Sequence, residues 1–147
     1  MSVEQIILLV AGILGANVVL WIVIIAWVRR ATRARAATLR AELDGSGERL
    51  VLGPEPAIYR GATAGRTKVK GNGIIALTDR RLLFDKLIGD RVEVSRAEIV
   101  GVRVDRWFLR SARGGKLHLI VKLQSGEEVG YIVRDHEAWV AALQPAA

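Results

Sequence analysis

The sequence predicts a mainly β domain of about seven antiparallel strands, a small barrel or orthogonal sandwich capped by a C-terminal α-helix and preceded by a single transmembrane helix. Three observations predict it. Residues 6–28 are apolar but for Asn17 and carry no charge. Beyond residue 49 apolar side chains recur with a period of two, in short runs parted by turn residues. The chain then ends on a segment with helical period and a capping residue before it. These divide the chain into an anchor (1–28), a basic juxtamembrane helix and linker (29–49) and a β domain (50–147).

The anchor is the strongest signal. Residues 6–28 contain fifteen Ile, Leu or Val and two Trp. At a 1.5 Å rise per residue they reach about 35 Å, slightly more than the ~30 Å hydrocarbon core of a bilayer. Each aliphatic favours insertion by about 0.3 to 0.6 kcal/mol, so Asn17 alone does not reverse the sum. A cleaved signal peptide would need a basic start and a shorter apolar core. Here the start carries Glu4, and Arg residues follow the apolar run directly. Arg29, Arg30, Arg33, Arg35 and Arg40 lie after the run and no Lys or Arg lies before it. The positive-inside rule therefore expects the N-terminus outside and the domain in the cytoplasm, at the cell membrane. Trp27 falls at the inner interface. Ala11, Gly12, Gly15 and Ala16 make small-xxx-small pairs on one face, where a second copy could approach; small residues are also simply common in such helices.

Residues 29–43 are rich in Ala, Arg and Leu, so the helix is expected to continue out of the membrane. Asp44-Gly45-Ser46-Gly47 is expected to break it and to serve as a flexible linker. The net charge of +7 divides as −1 over residues 1–28, +3 over 29–49 and +5 over 50–147. A basic excess beside an anchor points first to the anionic inner leaflet and second to nucleic acid. The abundance of Arg, Ala, Gly and Val reads as the bias of a GC-rich bacterial genome.

In the β domain, strands are expected at 56–63, 73–78, 81–87, 91–95, 99–108, 116–123 and 128–133. Ile75 and Leu77 share one face, as do Leu82 and Phe84 on the return strand, and Thr78 and Asp79 can bond the backbone in the turn between them. Asp135 is placed to cap a helix beginning at His136, with Pro145 past its end. His136, Trp139, Val140 and Leu143 share a face apolar enough to plug the end of a bent sheet, with Trp139 the largest contributor.

With seven strands and a closing helix in hand, a resemblance can be stated. Residues 73–85, GIIALTDRRLLFD, resemble the second and third strands of PH-like domains, most closely the bacterial PH and GRAM branch. Residues 94–102, VSRAEIVGV, look like that family's following strand step, and residues 117–126 with the strand and helix after them look like its last hairpin and cap. The resemblance covers residues 50–144. It implies a PH-like barrel and a binding role.

Signs of catalysis are scarce. Cysteine is absent, which removes thiol nucleophiles and Cys-based metal sites. His118 and His136 have no neighbouring cluster of acids, and His118 is expected to face solvent or be half-packed. Glu127-Glu128 reads as a solvated turn. No Walker, Rossmann or nucleophile-elbow pattern occurs, so no catalytic residue, cofactor or metal is expected. Two basic segments are candidates for binding. Arg60 precedes Arg66, Lys68 and Lys70, which alternation would put on one side; the resemblance implies a head-group grip there, while a solvated basic loop is the plainer reading. Arg106-Trp107-Phe108-Leu109-Arg110, followed by Arg113 and Lys116 around Gly114-Gly115, could dip into a bilayer or hold a partner, or could finish a core strand. The expected function is a non-enzymatic adaptor or scaffold for a protein or an anionic lipid at the inner leaflet. The alternative, less expected, is a nucleic-acid-binding domain held at the membrane; it would need base-stacking aromatics, of which only Trp107, Phe108 and Tyr131 are available, and no RNA-binding signature matches.

Overall fold

Each apolar run beyond residue 49 forms a strand, and the turn residues reverse the chain between them. In a computed structural model of the protein, which describes residues 1–66, 68–110, 112 and 114–144, the elements are α1 (Val3–Ser46), β1 (Leu50–Ala62), β2 (Gly71–Thr78), β3 (Arg81–Lys86), β4 (Val92–Ser95), a one-turn 3-10 helix (Arg96–Glu98), β5 (Ile99–Asp105), β6 (His118–Leu123), β7 (Glu128–Ile132) and α2 (His136–Leu143). The β2–β3 hairpin has the expected pairs, Ile75 opposite Phe84 and Leu77 opposite Leu82. The Thr78 hydroxyl accepts hydrogen bonds from the amides of Arg80 and Arg81 in its turn. Asp79 reaches elsewhere, accepting from the Arg49 amide.

The seven strands make one antiparallel sheet in the order β4-β3-β2-β1-β7-β6-β5. It is not a closed barrel: β4 and β5 end the order at opposite edges, and the 3-10 turn between them redirects the chain instead of pairing them. The central strand β1 is longer than expected and begins at Leu50. Its register shifts between Leu52 and Glu55 and again between Tyr59 and Gly61, and such bulges bend a strand. Gly53 at the first shift has φ +81°, and a Cβ there would sit 2.5 Å from the Ile75 carbonyl oxygen, so only glycine fits. β5 stops at Asp105, short of the expected 108, because the Asp105 carboxylate accepts the Trp107 amide and starts a turn.

The bent sheet encloses the main core. Tyr59, Phe84 and Tyr131 meet at its centre with ring centroids 5.6 to 5.9 Å apart. Helix α2 packs against β5, β6 and β1. Asp135 caps it, its carboxylate accepting the Ala138 amide. Trp139 is fully buried in this core, and its indole N–H donates to Glu55 Oε1 at 2.6 Å.

Helix α1 departs most from expectation. Ser2 and Gln5 cap its start reciprocally. It is long and apolar enough to cross a membrane, with a mean hydropathy of 2.7 over its most apolar window and none of that window buried. Asn17 donates to the Ile13 carbonyl and so is satisfied within the helix. The break expected over residues 44–47 falls at the last of them, Gly47, and not at Asp44. The helix runs through Ser46, whose hydroxyl donates to the Leu43 carbonyl, and ends only at Gly47 with φ +75°. Its last turns are docked. Leu39 and Leu43 are buried against Ile74, Ala76 and Leu83 on the outer face of β2 and β3, flanked by Ala36 and Leu50. Burying each Leu contributes about 1.5–3 kcal/mol. Arg91 grips Glu42 with bonds of 2.6 and 2.8 Å, and Arg35 lies 3.6 Å from Asp85. These pairs are partly exposed and worth up to about 1 kcal/mol each, so apolar contact supplies the docking and the charges set its register.

Candidate functional site

Arg66, Lys68 and Lys70 lie in the loop of the β1–β2 hairpin and not on its strands. β1 ends at Ala62 and β2 begins at Gly71, so the alternation expected of Arg66, Lys68 and Lys70 does not arise. Arg66 turns inward and bonds Glu127 at 2.8 Å, Glu98 at 3.1 Å and the Glu93 carbonyl at 3.0 Å. Glu127, expected in a solvated turn, is buried by this contact. Arg66 thus ties the β1–β2 loop to the β6–β7 turn, while Lys68 and Lys70 stay exposed.

Arg60 is buried too. Its Nε donates to His118 Nε2 at 3.2 Å, on the sheet face opposite the main core. His118, expected to face solvent or be half-packed, is fully buried, with Phe108 of the β5–β6 connection beside it. Leu109 and Arg110 have φ of 49° and 58°, a left-handed turn that costs bulky residues about 1–2 kcal/mol each. That turn brings Phe108 under cover, with its ring centroid 6.4 Å from that of His118. Gly130 of β7 makes room, since a Cβ there would lie 2.5 Å from the Phe108 ring. Trp107 stays 56% exposed beside exposed Arg106 and Arg110. The segment therefore splits, with Phe108 in the core and Trp107 outside. Arg113 lies outside the described residues.

Desolvation, reinforced by the Arg60 charge, holds the His118 pKa below its ordinary 6.5, while the backbone at Asp105 and Arg106 works the other way. The folded state thus favours neutral imidazole. Stability from this site is present above about pH 6.5 and is lost as pH falls through the depressed folded value. The denaturation midpoint is expected to drop between about pH 7 and pH 5. His118→Gln keeps an acceptor for Arg60 and should flatten that drop; an unchanged slope would remove His118 as its source. Burial also lowers the pKa of Lys86, whose ammonium lies 4.8 Å from the Tyr59 ring centroid and donates to the Val69 carbonyl.

A different place has the shape of a site. A cavity of about 570 Å³ opens between α1 and the sheet, where the helix leaves its apolar run. Val28 and Thr32 form the helix wall, facing Pro56 and Ile58 of β1, Asn72 of β2 and Leu87 after β3. The far side is Lys116, Leu117, Ile132, Arg134 and His136. Sheet register explains the pairing of cations there. Leu119 sits opposite Tyr131, and following both strands outward brings Lys116 and Arg134 to one rim. Neither has an ion pair or hydrogen bond among the described residues, and no carboxylate lines the cavity. Such a lining suits an anion with an apolar portion. Sequence reading does not assemble the site because its two walls are far apart in the chain; Lys116 beside Gly114-Gly115 enters that reading only as part of the basic segment after Trp107. Among the described residues no group of three or more His, Asp or Glu could hold a metal ion.

No family model and no curated protein matches the chain. Among solved structures it is similar to the C-terminal domain of an unknown protein from Leishmania infantum, with 15% identity and a TM-score of 0.48 over 71% of this chain and 91% of that one.

Proposed function

We propose that the chain is a membrane-anchored, PH-like binding module that works without catalysis on the cytoplasmic side of the cell membrane, as an adaptor or scaffold for a protein or an anionic lipid. The observation that carries this reading is the continuity of α1. One helix is apolar enough to span a bilayer at its start and is docked onto the sheet at its end. A domain held this way meets partners only within the membrane plane, so a modest intrinsic affinity suffices. The strand order, with a single C-terminal helix packed into the core, supports the PH-like assignment. The Arg residues that follow the apolar run support the orientation. The nucleic-acid alternative loses its stacking platform, because Phe108 and Tyr131 are buried and only Trp107 remains exposed.

Fusing a reporter that works only in the cytoplasm to the C-terminus is expected to give an active reporter. Activity from one that works only outside would overturn the orientation. Pull-down of the detergent-solubilised full-length protein from its native membrane is expected to enrich a specific protein or anionic lipid, whereas selective retention of labelled nucleic acid would favour the alternative.

A further inference from the structure

We infer that the cleft between α1 and the sheet receives one anionic glycerophospholipid from the adjoining leaflet, its phosphate held by Lys116 and Arg134. This deepens the function proposed above and rests on the reading that α1 spans the membrane with the domain beside an anionic leaflet.

Val28 closes the apolar run and Thr32 follows one turn later, about 6 Å further along the axis. A bilayer of about 40–45 Å with a core of about 30 Å leaves a headgroup layer of about 5–8 Å on each side. The helix wall of the cleft thus lies within the headgroup layer, and a lipid can enter sideways without leaving the leaflet. Arg66, Arg81, Arg91 and Arg103 of the domain are ion-paired. Lys116 and Arg134, like Arg80 and Lys122, have no ion pair among the described residues, and Lys116 and Arg134 converge on a cleft whose lining has no carboxylate. The volume of about 570 Å³ falls in the range of small-molecule sites. Ile58 and Ile132 line it together with Val28, offering an apolar bed for the glycerol backbone and the first methylenes. A free phosphate would leave that bed uncovered, which is why a lipid is the occupant chosen.

The test uses the full-length chain. Purified in mild detergent, it is titrated with phosphatidylglycerol or phosphatidylcholine, and bound lipid is read by native mass spectrometry. One phosphatidylglycerol per chain is expected, in preference to phosphatidylcholine. A basic residue at such a surface is worth about fivefold in affinity, so Lys116→Ala with Arg134→Ala should weaken binding about thirtyfold. Arg49→Ala with Arg80→Ala removes equal charge at the end of β1 and β2 remote from the cleft and should leave binding unchanged. Equal retention of the two lipids, or equal loss in both double variants, would overturn the inference. Resistance of the wild-type chain to alkaline extraction from membranes is scored separately. A chain that resists extraction yet shows no lipid preference sinks only the lipid site, and a chain that is extracted sinks the anchored reading with it.

Discussion

A piece of the chain beginning at residue 48 is expected to be much less stable than one beginning at residue 30. The shorter piece lacks Leu39 and Leu43, which are buried against Ile74, Ala76 and Leu83, and it also lacks the Glu42 partner of Arg91. Truncating a buried Leu to Ala typically costs about 2–5 kcal/mol. Losing two neighbouring Leu together with their helix should cost about 5 kcal/mol or more, within reach of the 5–15 kcal/mol total of an ordinary domain. Leu39→Ala and Leu43→Ala in the longer piece should each show part of this loss, without strict additivity because they share a cluster. Chemical denaturation of all four pieces provides the comparison. Coincident midpoints for the two lengths would mean that α1 rests on the sheet without supporting it.

Trp139→Ala is expected to destabilise the domain by about 3–5 kcal/mol, the cost of deleting a buried aromatic. The indole is fully buried, and its N–H holds the Glu55 carboxylate at 2.6 Å. Trp139→Phe separates the two contributions, because it keeps most of the packing and removes the donor. A hydrogen bond to a charged group is worth about 1.5–3 kcal/mol, so that variant should fall between wild type and Ala. A loss below about 1 kcal/mol in Trp139→Ala would show that α2 is dispensable to the core, contrary to the packing of a fully buried aromatic.

What could be read from the sequence follows the range of the interactions involved. The apolar run of α1, the β2–β3 hairpin and the Asp135 cap are written within a few residues, and all three stand where they were expected. The docking of α1 had a local sign that an alternation pattern overlooks. Ile74, Ile75, Ala76 and Leu77 are apolar in succession, as are Leu82, Leu83 and Phe84, which marks strands covered on both faces. The carboxylates that Arg66 meets lie 32 and 61 residues away and the His118 that Arg60 meets lies 58 away, so nothing near either residue distinguishes an ion pair or a core contact from a free cation. His118 was misplaced for the same reason, since a contact made by a connecting loop leaves no periodic trace. Gly130 was a clue of another kind, because a glycine inside a strand often marks where something packs closely.

Because α1 runs unbroken from Val3 to Ser46 and its last turns are locked to β2 and β3, its apolar part and the β domain share one screw axis. Each residue added between Val28 and Ala36 would turn the domain by about 100° about that axis and displace it by about 1.5 Å. The length of this short stretch therefore sets which side of the sheet faces a given direction about the helix axis. A twist or piston movement of the apolar part would reach the sheet as rigid rotation or translation, with no slack joint to absorb it.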